Sequence, residues 1–403
     1  MSMPPFQFAS ALSTLADAAA AVEQAVEHVL PRITGPVDLA ILFVTPQHRA
    51  QLSEIHDYLA LTLRPGIILG LAAAGVIGQG REIEQTPGLS LLVGNLPGAK
   101  LQPFTSDDLD QHWNQQPQAI RSFFTDPVSG KLPSGVILFA DPFSTPTTGV
   151  LPALTAALPG VPIIGGLASA ARQANDNRLL FGDTIRQQGL IGLAIGGRAR
   201  VDCTVSQGCR AIGKPLVITK AKRNVVFELG GRNALEVARD LLESVTEEDR
   251  QLLQTSGWLV GRVINEYKGR FGRGDFLIRQ VIGIDPAAGY IAIGDAQVRV
   301  GQTIQFHVRD QKTAREDFTL LLEAQKLHAA DGDSPNTSAG LLFSCNGRGT
   351  HLFSDPDTDA NMIHQALGDV PLAGFFAAGE IGPVGSENFL HGHTASLAVI
   401  RAV

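Results

Sequence analysis

Apolar positions along the chain change period early. Leu12, Leu15, Ala19, Val22, Val26 and Val29 recur at steps of three and four, which predicts one amphipathic helix stopped by Pro31. Beyond it, short continuous apolar runs bounded by turn residues predict buried strands. They recur in three sets. A first strand is read at 39–44, 135–140 and 340–344. A proline, an apolar strand and a glycine-rich bend follow at 65–70, 162–165 and 371–374, and a third strand at 88–93, 189–195 and 392–400. Helices are expected between the first two strands, with Leu52, Ile55 and Leu59 on one face and Leu151, Leu154 and Leu158 on another. Gly70, Gly75, Ile77 and Gly78 match Gly374, Gly379, Ile381 and Gly382 at identical offsets, while the second set is looser, with Gly165, Ala168 and Ala170.

Residues 205–330 break this rhythm. Ala234, Val237, Ala238, Leu241 and Leu242 mark an amphipathic helix, and antiparallel strands are expected at 258–267, 275–284, 290–293 and 303–308. A helix at 312–328 and a polar loop at 331–338 lead into the third set. The expected fold class is α+β (mixed α/β). It comprises β-sheets with packed helices, three pseudo-repeated strand-helix-strand-strand units and an inserted antiparallel meander. The expected division is a helical segment at 1–36, a domain with two copies at 37–204, and a domain with the insertion and third copy at 205–403.

Composition narrows the class. The formal charge of −7 and the absence of a basic run denser than the three cations of residues 220–223 argue against a dedicated nucleic-acid binder. Three scattered cysteines make neither a disulfide framework nor a zinc finger. Residues 1–10 lack a cationic leader, and the longest apolar run, 66–78, falls short of the ~18–20 residues that span a bilayer. A soluble, cytoplasmic protein without membrane insertion is expected.

Comparison among the three sets separates scaffold from chemistry. The first strand is followed by Thr45-Pro-Gln-His48, by Asp141-Pro-Phe-Ser144, and by Cys345-Asn-Gly-Arg-Gly349. Just past the bend, Val76 and Ala171 occupy the place that Glu380 takes in the third set. A carboxylate there, framed by Gly379 and Gly382, needs a partner or a ligand. Arg348, between Gly347 and Gly349, can grip a carboxylate or phosphate with two parallel hydrogen bonds, and Asn346 adds a further polar group. His391 and His393 would share a strand face and, with Glu380, His351 or His364, could hold a metal, although two hydrogen-bonded histidines explain them as well. Cys345 could be a nucleophile or a small buried thiol. Asn265 and Glu266 are read as the wet face of a strand. No phosphate loop, nucleophile elbow or dinucleotide fingerprint is present, so no catalytic residue, metal or cofactor is assigned.

Four stretches carry a family resemblance: Pro162-Ile-Ile-Gly-Gly166 with the polar segment 175–182; 207–213; Val263-Ile-Asn-Glu-Tyr267; and 341–349 together with Pro371-Leu-Ala-Gly-Phe-Phe-Ala-Ala-Gly-Glu-Ile-Gly-Pro383. From about residue 37 onward the chain resembles the FIST sensory domains, with both N-terminal and C-terminal modules. The resemblance implies a sensory, small-ligand-binding role in signal transduction, with amino acids the ligand class proposed for the family. Its modules occur joined to output domains. The length here leaves no room for one, so action on a separate signalling protein is expected. For an amino acid, Arg348 with the Gly347 and Gly349 amides would take the carboxylate. Glu380 with Asp355 would take the ammonium, and Asn346 or His391 would orient the ligand. The candidate site is therefore Cys345, Asn346, Gly347, Arg348, Gly349, Asp355, Gly379, Glu380 and His391. Alternative readings are a protein-interaction scaffold and, behind it, an enzyme using Cys345 or a metal.

Overall fold

The computed structural model describes residues 4–109, 117–295, 298–327 and 338–403. The expected polar loop lies, but for Ser338, outside them. The chain forms two compact units: residues 1–205 with 318–403, and, inserted between these segments, residues 206–317. Helices and sheets are both abundant, and the class is α+β.

The first unit holds three six-stranded sheets with one strand order. One runs Gln7–Ser13, Leu89–Asn95, Leu39–Val44, Ile67–Ala72, Leu179–Phe181, Thr184–Arg186. The next runs Ala99–Thr105, Leu190–Gly197, Gly135–Ala140, Ile163–Leu167, Glu380–Val384, Glu387–His391. The last runs Ala199–Ser206, Ala395–Ala402, Ser338–Cys345, Leu372–Ala377, Gly75–Gly78, Arg81–Glu84. In each sheet the first and second strands of a set are parallel and the third is antiparallel to the first. Each sheet ends in a hairpin supplied by a different set. Gly75–Gly78 joins Leu372–Ala377, Leu179–Phe181 joins Ile67–Ala72, and Glu380–Val384 joins Ile163–Leu167.

The bend glycines have a common steric cause. A Cβ on Gly70, Gly165 or Gly374 would stand 2.1, 1.9 or 2.0 Å from the carbonyl oxygen of Leu42, Leu138 or Leu342 on the paired strand. No side chain fits there. Where the sheets face one another, Phe43, Phe139 and Phe343 come from the three first strands and surround Phe375. Their ring centroids lie 4.9 Å (Phe43), 5.8 Å (Phe139) and 5.4 Å (Phe343) from that of Phe375. These edge-on and tilted contacts anchor the largest apolar cluster.

Four expectations need correction. Asn265 and Glu266 lie past the end of Leu259–Val263 and not on a strand, and His393, at φ 70° between Glu387–His391 and Ala395–Ala402, shares no strand face with His391. The first helix is Ala18–Val29, capped by Asp17, whose side chain accepts from the Ala20 amide. Leu12 belongs instead to the strand Gln7–Ser13, whose consecutive residues Phe8 to Ala11 are all buried and which pairs antiparallel with Leu89–Asn95, so the ladder wins over the apparent helical stripe. The counterpart of Glu380 in the second set is Leu179, not Ala171. Val76 pairs with Phe375, Glu380 with Gly166 and Leu179 with Leu71, three equivalent places beside the bend glycines. A longer loop after 168 displaces the second hairpin along the sequence, so offsets counted from the bend mislead there.

In the second unit the strands Cys209–Lys222, Thr303–Arg309, Leu259–Val263, Phe276–Asp285, Tyr290–Ile293 and Val225–Leu229 pair in that order, all antiparallel. Cys209–Lys222 also pairs with Val225–Leu229, which closes these six strands into a barrel. The expected meander forms one wall of it. A register irregularity between Ile212 and Leu216 bends the long strand so that it reaches both neighbours.

Candidate functional site

The strand Ser338–Cys345 is apolar from Ala339 to Phe343, and the chain turns sharply after Cys345. The Arg348 amide donates to the Cys345 carbonyl at 2.7 Å, and the Asn346 amide to the Ala377 carbonyl at 3.0 Å. The Cys345 amide donates to the Thr394 carbonyl at 2.9 Å, just as Thr45 does to Gly88 and Asp141 to Gly189. Gly349 follows at φ 53°, in the left-handed region that favours glycine, and a Cβ on it would also have to displace Glu84 Oε1, 2.4 Å away.

The turn drives Arg348 inward, to 0% exposure. Its Nε and Nη2 donate to the two oxygens of Asp359, both at 2.7 Å, and Ser344 Oγ donates to the same carboxylate at 2.9 Å. The guanidinium also lies 5.3 Å from the ring centroid of Phe353. Burial opposes its charge, but the Asp359 carboxylate more than compensates and holds Arg348 above its ordinary value. Asp359 sits in the first turn of the helix Thr358–Leu367, where the helix dipole favours an anion.

Glu380 opens the strand Glu380–Val384 and is equally buried. Its Oε2 accepts from the Thr394 amide at 2.9 Å and the Thr394 hydroxyl at 2.8 Å. Burial pushes its carboxyl up to about 7, against the Thr394 hydrogen bonds, a hydrogen bond from Cys345 and the charge of Arg348. A second carboxylate, Glu82, enters from the hairpin of the first set. Its Oε1 accepts from the Ala360 amide at 2.9 Å. Burial, reinforced by the charge of Asp359, pushes it up to about 8.

Four polar atoms of this cluster are buried without a hydrogen-bond partner: Arg348 Nη1, Glu380 Oε1, Glu82 Oε2 and Asn346 Oδ1. The matching turn in the second set is self-contained. Asp141 Oδ2 accepts from the Ser144 amide at 2.9 Å and its hydroxyl at 2.6 Å, and Oδ1 from Asn177 at 2.8 Å. In the first set Thr45 Oγ1 accepts from the Gly88 amide at 2.9 Å.

Of the residues singled out in the sequence, Cys345, Asn346, Gly347, Arg348, Gly349 and Glu380 come together here. Gly379 carries the main-chain link to the neighbouring sheet, its carbonyl accepting from the Leu167 amide at 2.9 Å. His391 is the cross-strand neighbour of Glu380, with Nε2 at 3.0 Å from the Gly382 carbonyl. Asp355 is exposed. Asp359, Glu82, Thr394 and Ser344 were not anticipated. Asp359 reads locally as a helix-start residue, and Glu82 reaches the site only because its hairpin crosses to another sheet. His351 is exposed, and exposed His364 faces Asp369 at 3.3 Å. Among the described residues no group of three histidine, cysteine or acidic side chains could hold a metal ion.

Fold and site thus define an α+β protein in which one of three similarly wound strand ends carries a buried, charged, incompletely satisfied cluster. The chain belongs to the FIST family, whose domains are sensory modules of signal transduction: the FIST N domain matches residues 38–232 and the FIST C domain residues 234–383. An uncharacterized protein of Mycobacterium tuberculosis is 36% identical over 389 residues, 96% of this chain and 98% of its own. One of Mycobacterium bovis is 34% identical over 388 residues, 96% of each. A cyanuric acid hydrolase from A. caulinodans aligns over 98% of this chain and 99% of its own at 11% identity, with a TM-score of 0.30. No helix among the described residues is long and apolar enough to cross a membrane.

Proposed function

We propose that this chain is a cytoplasmic sensor that binds a small zwitterion, an amino acid, at the Cys345–Gly349 turn and signals to a separate protein. One observation carries the reading: Arg348 Nη1, Glu380 Oε1, Glu82 Oε2 and Asn346 Oδ1 are buried and unpartnered in one cluster. Each such atom costs ~1–3 kcal/mol when left unmet, and four in one place favour a polar guest. The guanidinium gives two of its arms to Asp359, so a ligand carboxylate would be met by Nη1. The acceptors Glu380 Oε1 and Asn346 Oδ1 suit an ammonium. Two or three charge-assisted contacts support micromolar affinity after the cost of association.

The test is calorimetry of the full chain against a panel of amino acids, with Glu380→Gln and Asn346→Ala as variants that leave the Arg348–Asp359 pair intact. At least one amino acid should bind, and both variants should weaken it tenfold or more. A panel without a binder, or a binder indifferent to both variants, overturns the assignment.

A further inference from the structure

The same turn carries a thiol whose surroundings differ from those of the other two. Cys345 is half-buried, with its Sγ hydrogen-bonded to the Glu380 carboxylate and approached by the Gly347 amide at 3.4 Å. Arg348, fully buried three residues on, is coupled to it electrostatically and keeps Nη1 unpartnered. The charged groups around the sulfur come from separate elements: Arg348 from the turn, Glu380 from the strand after the bend, Asp359 from the helix, and Glu82 from the hairpin of the first set. Cys209, by contrast, is buried and donates to the Gln207 carbonyl, and burial pushes the Cys203 thiol far up.

These features provide a proton acceptor on the thiol, an N–H and a guanidinium to favour the thiolate, and a spare cationic donor for an incoming oxygen. They do not provide an acyl-transfer site. The amides of Asn346, Gly347 and Arg348 are committed to Ala377 O, Cys345 Sγ and Cys345 O, so the turn presents no pair of main-chain donors to a tetrahedral oxyanion. A substrate whose leaving oxygen needs only a proton fits better.

We propose that Cys345 is a peroxide-reactive thiol, with Glu380 as its proton relay and Arg348 as the electrostatic support for thiolate and leaving oxygen. Glu380 takes the Sγ proton, and the thiolate attacks one oxygen of a hydroperoxide. An S–O bond forms as the O–O bond breaks, and the departing oxygen takes the proton back from Glu380. Sulfur is oxidised to a sulfenic acid, the hydroperoxide is reduced to an alcohol or water, and an external thiol restores the cysteine. The inference does not rest on the amino-acid reading: it concerns the thiol itself, and its readout involves no ligand.

The experiment treats the full chain with hydrogen peroxide, traps sulfenic acid with dimedone, and quantifies each cysteine by peptide mass spectrometry across pH 5–9. Cys345 should be labelled at least tenfold faster than Cys203 and Cys209. Glu380→Gln should slow it by ~100-fold and abolish its pH dependence around neutrality. Glu387→Gln, which removes an exposed carboxylate from the strand paired with Glu380–Val384, should leave the rate within about twofold, a split that general loosening of the fold would not produce. Labelling of Cys345 no faster than Cys203 and Cys209, or equal rates in Glu380→Gln, overturns the proposal.

Discussion

Replacing Asp359 with alanine tests how the Arg348 charge is held. The substitution removes three hydrogen bonds at once, from Arg348 Nε, Arg348 Nη2 and Ser344 Oγ, and leaves a guanidinium at 0% exposure. Phe353 at 5.3 Å cannot replace a carboxylate, and Glu82, pushed up to about 8, is mainly protonated at neutral pH. Breaking a buried pair from one side costs about 3–5 kcal/mol, which is roughly two to three and a half orders of magnitude in the opening equilibrium. Hydrogen exchange with peptide resolution reads this directly. Slow amides of Ser338–Cys345 and Leu372–Ala377 should exchange faster by that factor at pH 7, while Leu259–Val263, in the other unit, should not change. A double replacement, Arg348→Met with Asp359→Leu, should recover much of the loss because it removes both charges. An effect below ~1 kcal/mol in Asp359→Ala would refute the view that this pair holds the buried charge in place.

Two further outcomes follow from the same structure. Glu82 and Glu380 have folded-state values raised to about 8 and about 7, above those of an unfolded glutamate, so the native state binds their protons more tightly. The stabilisation they contribute is full below about pH 4.5 and is lost as pH rises towards 8. Glu82→Gln should therefore flatten the pH dependence of urea unfolding and gain stability relative to the parent at pH 9 but not at pH 5. A parallel offset at both pH values would contradict this. Gly374→Ala puts a Cβ 2.0 Å from the Leu342 carbonyl oxygen and should cost about 3 kcal/mol or more in thermal unfolding, whereas Gly392→Ala, with open space around it, should cost much less.

What could be read from the sequence was what local pattern encodes. The runs at 39–44, 135–140 and 67–72 are buried on both faces and so are continuous in apolar residues, and the bend glycines sit where a neighbouring carbonyl leaves no room. Arg348 and Glu380 stood out because their equivalents in the other sets are uncharged or self-satisfied. The leading strands were harder. Gln7–Ser13 mixes Ser10 and Ser13 with its apolar residues, and its Leu12 falls by chance in step with the following helix. Glu82 and Asp359 escaped notice for another reason. They act on Arg348 across 266 and 11 residues of sequence, and only the crossing of the hairpin Gly75–Glu84 to the sheet of Leu372–Ala377 brings Glu82 there. No local periodicity reports such a crossing.

That exchange of hairpins also sets an order of assembly during synthesis. The first sheet gains its final strands when residues 184–186 emerge, but the second waits for Glu387–His391 and the third for Ala395–Ala402. Until then the hairpin carrying Glu82 has no sheet to join, and Ile163–Leu167 shows an open edge. The segment 380–402 thus acts as a lock turned only after the rest of these sheets has emerged. Cutting the gene between the two family modules would yield pieces in which neither the second nor the third sheet can be completed.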